Sequence, residues 1–576
     1  MDFISTLKCC FIIPRGMGIG KNQTLGLLTS MLFLTLLIPS LVFAAGGHGT
    51  EPESAVSEDM GSTQAASDME STETASNGME TTDTVAVEPS DSQESMDSME
   101  SGGHGIHVSL IFMLLLIVGF IIFFRSIQGK DLLEYSSLKR LMKSRWYPKI
   151  LQIPTLFFFG FIIYFFFFGS ASYAKNPGSV LAWTLWWPLV PLTFILFGRI
   201  WCVICPIPLV GEFFQKFFAP TRKPGPFLVK YGIWITDGIF IGITLFDRLY
   251  GMVDNPLLSG LVFLLILFGV IVLSIRYERR TFCKHICFLG GVAGNYSMLS
   301  GLTIEPKNLS TCATCKARAC YFGSGRAPGC PFFTTLPAKN SMRNCTLCAS
   351  CIKNCPHDNV AMRVRSIASE LWSHARVSFS ESFFAKLMVG VVIIQNLGML
   401  AVWGYLQGTL MGWGLGEKLS ITVIYAAAIA SPLLLMTITS FISSKLQSGA
   451  SSTVANFAAF GYAFIPIDVA GHIAHNLFHL LAEGKSILGA FVGLFTGEIM
   501  LEGSIASDSF ISAAQLALII AGGLGTLYVA YRIARAREKA SRATAIKILL
   551  PHAALLLLIF GINLFLFAMP MAHRGG

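Results

Sequence analysis

The sequence predicts an all-α polytopic membrane protein with about ten transmembrane helices, a further apolar run near the N-terminus, and a small α+β domain inserted between two groups of helices. Three observations predict this fold class. Hydrophobic residues make up 53% of the 576 residues and charged residues only 13%. Apolar runs of about 20 residues recur along the chain. Eight of the fourteen cysteines lie in one polar stretch between positions 312 and 355.

The N-terminal region divides into two segments. Residues 1–45 contain an apolar run at 25–44 that follows Lys8, Arg15 and Lys21, a pattern that predicts a signal peptide or an N-terminal anchor. Residues 46–105 are acidic, rich in Ser and Thr, and contain no Phe, Trp or Tyr. Such a segment cannot bury enough surface to offset its chain entropy, so we expect a disordered extracytoplasmic linker.

Ten apolar runs follow the linker, five on each side of the cysteine-rich stretch. The first five cover residues 106–124, 150–171, 181–197, 227–246 and 256–275, and the second five cover 387–406, 420–442, 455–481, 510–531 and 545–569. Each run is long enough to cross the hydrocarbon core of a bilayer. We therefore expect a five-helix membrane domain over 106–304, a second over 368–576, and an inserted domain over 305–367.

Basic residues predict the orientation of these spans, because loops that stay in the cytoplasm retain Lys and Arg. Seven basic residues follow the first span within 125–149, whereas the linker has none. Alternate counting from an external linker places 276–385, with all eight clustered cysteines, in the cytoplasm. We expect a multi-pass plasma-membrane protein. The charge of +9 is then an orientation signal, which argues against nucleic-acid binding.

The strongest motif covers residues 345–356, which read C-T-L-C-A-S-C-I-K-N-C-P. This is the C-x₂-C-x₂-C-x₃-C-P spacing of bacterial two-cluster ferredoxins, in which three thiolates bind one cluster and the fourth binds the other. Zinc is the alternative, but zinc sites use ligand pairs separated by longer loops. The sequence thus predicts a small α+β bacterial-type ferredoxin domain on the cytoplasmic side, with two [4Fe-4S] clusters.

The predicted cluster ligands fall into two crossed sets. One set is Cys312, Cys315, Cys320 and Cys355, and the other is Cys330, Cys345, Cys348 and Cys351. The alternative is that the loop 321–329 lets the upstream motif close on itself. The crossed ligation is therefore a second hypothesis, separate from the existence of the clusters.

Two further cysteine pairs, Cys202 with Cys205 and Cys283 with Cys287, lie where a predicted span meets the cytoplasm. Both pairs follow a helix that runs inward, so the four thiols should lie at a similar depth. They could hold a metal or a third cluster, act as a dithiol pair, or be inert buried cysteines. Nearby basic residues would favour the thiolate by lowering the thiol pKa. These residues are Arg199, Arg279, Arg280 and Lys284.

Three histidines mark the eighth predicted span. Offsets of three and seven place His472, His475 and His479 on one helical face, with Asp468 one turn before them. Such groups are costly in lipid and need partners. The functional hypotheses are ligation of haem b, with His552 as a conceivable second ligand, a quinone pocket, or a transition-metal site. The alternative is a set of packed polar residues.

Paired membrane-edge cysteines followed by a two-cluster ferredoxin section resemble the membrane polyferredoxins of the NapH and NosR type, over about residues 106–370. The resemblance implies quinol oxidation or electron relay to an extracytoplasmic redox protein. In that family the edge motif is C-x₃-C-P. Here the first motif is Cys202-x₂-Cys205-Pro206, and the second keeps x₃ but has Phe288 in place of proline.

These observations favour a membrane-bound iron–sulfur protein that relays electrons between the quinone pool or a cytoplasmic donor and an extracytoplasmic redox partner. The alternative is an assembly or maintenance factor that supplies reducing equivalents to a metalloenzyme or to a copper or thiol site. Asp237, inside the fourth span, is a candidate for a proton route, a quinone pocket or helix packing. No nucleotide-binding fingerprint is recognisable, which argues against an enzyme acting alone on a soluble substrate.

Overall fold

The computed structural model describes residues 94–571 except 340, 374–376, 448–451, 539–540 and 570, with side chains from residue 107 onward. Within this part of the chain, ten helices are long and apolar enough to cross a membrane, which confirms the predicted number. The N-terminal run at 25–44 and the linker up to residue 93 lie outside the described residues. The placement of the helices in a membrane and the side that each loop occupies remain predictions.

The helices form two groups of five on either side of the cysteine-rich section. The first group is α1 (Glu94–Ser126), α2 (Lys149–Phe168), α3 (Pro177–Phe197), α4 (Pro226–Tyr250) and α5 (Pro256–Arg276). The second group is α6 (Phe379–Leu397), α7 (Glu417–Leu446), α8 (Thr453–Ala482), α9 (Asp508–Arg537) and α10 (Arg542–Ala568). A π-helical stretch interrupts α3 at Val180–Trp186, and a 3₁₀ turn interrupts α8 at Gly461–Phe464.

Local capping signals set several of these helix ends. The Asn255 side chain accepts a hydrogen bond from the Leu258 N–H at 3.1 Å, and Ser378 accepts from the Glu381 N–H at 3.4 Å. These side chains satisfy donors that have no partner inside the helix. Gly251 ends α4 in the left-handed conformation, with φ of 59°, where a glycine carries no steric penalty.

Two predicted boundaries are wrong. The sixth span was expected over 387–406, but α6 ends at Leu397 and a separate helix, Ala401–Gly412, follows. Gly398 lies at this break, where a Cβ atom would come within 2.3 Å of the Arg248 guanidinium. Likewise α1 begins at Glu94 inside the predicted disordered linker. A helix already nucleated by an apolar segment extends at little cost.

One helix occupies the centre of the helical part. The whole hydrophobic window of α8 is buried by its neighbours, among them α3, α6 and α9. Glycine allows the closest of these approaches: a Cβ atom at Gly522 of α9 would lie 2.3 Å from the Ala470 Cβ. Small residues serve the same purpose in membrane helix pairs generally. Polar groups on α8 must therefore find their partners within the protein.

The cysteine-rich section is closed by a strand pair at its base. Strand β1 (Leu302–Pro306) pairs antiparallel with β4 (Val360–Val364), and a short hairpin of β2 (Gly323–Ser324) and β3 (Ala327–Pro328) lies between them. Short helices connect the strands, as expected for a small α+β section. Its apolar core includes the buried side chains of Ile304, Met342, Leu347, Ile352 and Met362.

The helices alternate in direction between two ends of the structure. At the end that carries the cysteine-rich section, Arg343 Nε lies 3.2 Å from the Glu381 carboxylate at the start of α6. At the opposite end, Thr184 Oγ1 of α3 donates to Glu483 Oε2, just after α8, at 2.8 Å. This alternation is the one that the basic loops predict. The assignment of the cysteine-rich end to the cytoplasm stays a prediction.

Candidate metal centres

The first group of cysteines, called the outer set here, is Cys312, Cys315, Cys320 and Cys355. Asn359 contacts two of its sulfurs: the side-chain Nδ2 donates to Cys312 Sγ at 3.4 Å and the backbone N–H donates to Cys355 Sγ at 3.3 Å. Burial raises the pKa of the Cys312 thiol, and the nearby Cys320, Cys355 and Cys315 raise it further. Cys312 and these three neighbours are the four cysteines of the first crossed set. The geometry therefore favours the crossed arrangement over an upstream motif that closes on itself.

The second group, called the middle set, is Cys330, Cys345, Cys348 and Cys351, and these four residues line one pocket. The motif curls around this pocket because Leu347 and Ala349, on either side of Cys348, adopt the left-handed conformation, with φ of 57° and 61°. Non-glycine residues rarely adopt this conformation, and when they do they cluster at functional sites. Cys320 of the outer set lines the same pocket, so the two sets are neighbours.

A tight loop connects the outer and middle sets. A Cβ atom at Gly329 would lie 1.9 Å from the Tyr321 carbonyl oxygen, so only glycine fits there. The close approach lets the Cys330 N–H donate to the Cys320 carbonyl at 3.0 Å. Cys330 thereby returns to the side of the section where the Cys345 motif lies.

The third group, called the edge set, is Cys202, Cys205, Cys283 and Cys287. Burial raises the pKa of the Cys205 thiol well above its usual value, and Cys283, Cys287 and Cys202 raise it further. A contact joins the two motifs, which follow α3 and α5, because Arg280 Nη1 donates to the Cys202 carbonyl oxygen at 3.4 Å. Thiols of one neighbourhood can serve a shared metal centre, whereas two separate dithiol pairs would not require this convergence.

The edge thiols correct one sequence-based expectation. Arg280 and Arg199 do lower the pKa of Cys283, as predicted, but burial is the larger effect and raises it to about 11. Burial likewise raises the pKa of Cys287 to about 12. Thiols of this kind are protonated near neutral pH and therefore poor nucleophiles. A bound metal centre would supply the positive charge that stabilises the thiolates.

Arg199 lies between the edge set and the middle set. Its side chain is buried, and Nη1 donates to the Arg343 carbonyl oxygen at 2.5 Å, whereas Nε and Nη2 have no hydrogen-bond partner. Its charge lowers the pKa of Cys283, Cys287 and Cys345 from both sets. A buried guanidinium with unused donors is costly. Anionic iron–sulfur clusters on either side would provide acceptors, so the residues present fit such groups.

Basic residues of the second edge motif also fix the middle set in place. Arg279 Nη1 donates to the Cys330 carbonyl at 2.8 Å, and Lys284 Nζ donates to the Phe332 carbonyl at 3.0 Å. Arg280 forms an ion pair with Glu212 at 2.9 Å and also acts electrostatically on Cys283 and Cys348. The outer, middle and edge sets therefore follow one another from the exposed section toward the helices.

The three histidines of α8 form a row and do not converge on one point. Tyr296 OH and His472 Nδ1 lie 3.3 Å apart in a hydrogen bond, His475 Nδ1 donates to Asn396 Oδ1 at 3.0 Å, and His479 Nδ1 donates to Glu483 Oε1 at 2.8 Å. Among the described residues, no three His, Cys, Asp or Glu side chains are gathered closely enough to hold a single metal ion. The transition-metal hypothesis for the row thus finds no support in the geometry.

His552 does not join this row. Its ring stacks on Phe460 with centroids 4.0 Å apart, and Phe460 precedes His472 by about three turns of α8. The suggested pairing of His552 with the row for haem ligation is therefore not formed. Asp237 is also separate: both of its buried carboxylate oxygens lack a hydrogen-bond partner, and the charge that acts on it is that of Arg343.

Aromatic residues that the sequence analysis did not single out connect the edge set to the row. The ring of Trp201, next to Cys202, lies 6.1 Å from Trp186, Trp186 lies 6.2 Å from Trp187, and Trp187 lies 6.0 Å from the His472 ring. A second connection is the helix Phe288–Tyr296, which begins directly after Cys287 and ends at the hydroxyl that contacts His472. The tryptophan doublet was visible in the sequence, but only the fold shows where it leads.

The comparison with known families agrees with a cluster at the edge set. A family described as "4Fe-4S binding domain" matches residues 179–224 and 259–302. These two segments contain the edge cysteines and end before the eight-cysteine section. Comparison with curated proteins and with solved structures gives no match. The match supports iron–sulfur binding and an electron-transfer role, whereas the more specific likeness to the NapH and NosR type remains a hypothesis.

Proposed function

We propose that this chain is a membrane-bound relay that moves electrons between the quinone pool, or a cytoplasmic donor, and an extracytoplasmic redox partner. One observation carries the proposal: three sets of four cysteines follow one another from the exposed section to the helices. When bound at such thiolates, [4Fe-4S] clusters supply one-electron transfer. We therefore add a third cluster, at the edge set, to the two that the ferredoxin motif predicts.

The protein's own residues would hold and tune these clusters. Asn359 would donate hydrogen bonds to two ligand sulfurs of the outer set, at the distances given above. Arg199 would direct its unused donors to the clusters of the edge and middle sets. Hydrogen bonds and positive charge near cluster sulfurs raise the reduction potential. The edge and middle clusters should thus accept electrons more readily than unshielded ones.

We place the quinone site where the row meets the connections from the edge set. His472, Tyr296 and Trp187 come together there. Burial raises the pKa of the Tyr296 hydroxyl, and the nearby charge of Asp468 raises it further. His472 Nε2 and both carboxylate oxygens of Asp468 are buried without a hydrogen-bond partner. A quinol oxidised at a site must give up protons as well as electrons, and these groups can hold them. Such unsatisfied groups within the helical part mark a functional site.

The experiment uses full-length, anaerobically purified protein. A water-soluble quinol analogue is mixed with the oxidised protein, and cluster reduction is followed by electron paramagnetic resonance. We expect reduction that slows at least tenfold in His472→Gln, while dithionite reduces both proteins alike. Unchanged signals after addition of quinol to the wild-type protein would overturn the quinone assignment. An optical Soret band would instead support haem at the row.

A second candidate function is the maintenance of a metalloenzyme or of a copper or thiol site. The surface around the outer set favours a soluble partner, because residues 306–357 contain seven Lys or Arg and no Asp or Glu. Lys316, Arg318, Arg326 and the large apolar ring of Phe322 are exposed there. An acidic redox protein would fit this surface. Reoxidation of the reduced clusters by a copper or thiol protein, without any response to quinol, would select this function.

A further inference from the structure

We propose that the second half of α8 forms a proton path from Asp468 and His472 to Glu483, which lies at the end of the structure opposite the cysteine-rich section. The proposal deepens the proposed function, because the protons come from quinol at the His472 site. It adds that these protons leave on one side only. Groups that carry protons line the second half of this buried helix and are missing from the residues just before Asp468.

Five proton-carrying side chains recur at intervals of three or four residues along one face of this half of α8 and the residue after it. They are Asp468, His472, His475, His479 and Glu483. Neighbours at this spacing lie about 5–6 Å apart at Cβ, and the span from first to last is about 22 Å. A row of this length covers most of the hydrocarbon thickness of a bilayer.

The contacts between these groups suit proton transfer. The rings of His475 and His479 have centroids 5.2 Å apart, and His479 Nδ1 donates to Glu483 Oε1 at 2.8 Å. Asn396 fixes His475 through its Nδ1. The steps from Asp468 to His472 and from His472 to His475 join side chains about one helical turn apart, roughly 5–6 Å at Cβ, and one bridging water can span such a gap. Because all four groups from Asp468 to His479 are buried, a proton held at His472 reaches the solution only through other groups of the protein.

The row ends at a side chain that is partly exposed to solvent. The Glu483 side chain is 12% exposed, whereas that of His479 is 2% exposed. Glu483 Oε2 also accepts from Thr184 Oγ1 at 2.8 Å and from Tyr173 OH at 3.3 Å, which adds two hydroxyl groups at the mouth. A carboxylate held by hydroxyl donors at the surface can exchange protons with the solution on that side.

The first half of α8 has the opposite character. Between Gly461 and Asp468 the side chains are apolar and buried apart from Tyr462, whose hydroxyl donates to Glu381 at the iron–sulfur end. Ionisable groups at that end include Lys386, whose Nζ lies beside Gly461, and His552, which stacks on Phe460. About 10 Å of helix lined by Phe464, Ile465 and Ile467 separates them from Asp468. Along α8 the path is therefore closed toward the clusters, and the Tyr296 hydroxyl at His472 Nδ1 belongs to the quinone site itself.

The reaction that this path serves balances as follows. Each quinol that is oxidised to quinone releases two electrons and two protons. When bound at the edge set, a cluster would accept these electrons one at a time and pass them into the relay. The protons pass to His472 and Asp468, then along His475 and His479 to Glu483. The quinone pool is the reductant, and the redox partner of the clusters is the final oxidant.

The test uses full-length protein in liposomes with the iron–sulfur section outward, an orientation that external protease can verify. A quinol analogue is added together with an external electron acceptor, and an enclosed pH dye reports protons that reach the lumen. Wild-type protein should acidify the lumen as quinol is consumed. His475→Gln, His479→Gln and Glu483→Gln keep the size and hydrogen bonding of the side chains but cannot relay protons. We expect each variant to slow both lumen acidification and quinol-driven cluster reduction at least tenfold, with dithionite reduction unchanged.

His552→Gln is the matched control, since it removes a buried histidine outside the row, and it should leave both rates within twofold of the wild type. The proposal is overturned if the row variants acidify the lumen at the wild-type rate, or if protons appear outside the vesicles. Failure of the proposed function looks different: wild-type clusters would not respond to quinol at all. Iron content and the spectra of dithionite-reduced protein identify variants that have merely misfolded. In that case His479→Val and His479→Thr repeat the test in protein that folds.

Discussion

The edge set and the outer set each consist of four cysteines, but they are built in opposite ways. Three outer-set cysteines lie within residues 312–320, so the local backbone alone brings them close together. The edge set takes one pair from residues 202–205 and the other from 283–287, and the packing of α3 and α5 brings them together. Local spacing thus encodes one kind of centre, whereas tertiary structure encodes the other.

The largest effect should come from removing one ligand of each set and comparing the results. Cys287→Ala and Cys315→Ala should each lose about a third of the iron and acid-labile sulfide, because each removes one of three clusters. Only Cys287→Ala should also abolish reduction of the remaining clusters by quinol, since the edge set lies nearest the His472 site. Iron analysis and electron paramagnetic resonance measure both results. Equal quinol responses in the two variants would contradict the order of the sets.

A second comparison sharpens the crossed ligation. Cys355→Ala should remove the outer cluster and leave the signal of the middle cluster, although Cys355 belongs to the same short motif as Cys351. Cys330→Ala should do the reverse. Spectra of the dithionite-reduced proteins measure this, and Cys351→Ala serves as the reference for loss of the middle cluster. If Cys355→Ala and Cys351→Ala lose the same signal, the crossed assignment is wrong.

A smaller effect is expected at the boundary between the edge and middle sets. Arg199→Gln removes a buried positive charge whose donors would face the clusters, a contribution worth about 1.5–3 kcal/mol, or roughly 60–130 mV for one electron. The midpoint potential of the edge or middle cluster should fall by this amount in a redox titration. Arg222→Gln, which changes an arginine that stacks on Tyr277, should leave both potentials in place. A potential that rises or stays fixed in Arg199→Gln would show that the guanidinium does not face a cluster.

The smallest effect concerns how the exposed section is held. Lys139 and Lys143 lie 2.6 and 2.8 Å from the Asp358 carboxylate and lower the pKa of that group to about 2. Because the pKa is depressed in the folded state, the stabilisation is complete above the usual value near 4 and is lost as the pH falls toward 2. The group is exposed, so Asp358→Asn should cost at most about 1 kcal/mol at pH 7.

Asparagine also tolerates the left-handed backbone at this position, where φ is 47°. The variant therefore tests the charge alone. Denaturant unfolding in detergent measures the difference in stability, which should shrink as the pH is lowered from 7 toward 3. A Lys139→Met, Lys143→Met double variant should lose the same pH-dependent part. A difference that grows on acidification would contradict the ion-pair explanation.

The sequence predicts the outer and middle sets better than the edge set and the histidine row, because local spacing encodes only the first two. The C-x₂-C-x₂-C-x₃-C-P motif is local in sequence, so its cysteines could be predicted from spacing. The crossed ligation stays a prediction, with which the contacts of Asn359 are compatible. Periodicity and length gave ten helices. The effect of burial on the edge thiols could not be predicted, because it depends on packing around α3 and α5. The partners of the histidine row, such as Tyr296 and Asn396, come from helices distant in sequence and could not be predicted either. The end of α6 likewise depends on a tertiary contact, the approach of Arg248 to Gly398.

The pairing of β1 with β4 sets Leu302 opposite Val364, so the chain leaves the helices and returns to them at a single spot. An element whose two ends meet in this way can be gained, lost or exchanged as a cassette without rethreading the rest of the fold. The outer and middle sets therefore belong to one insertion between two groups of helices. In engineering terms, that junction is where a ferredoxin of different potential should be grafted.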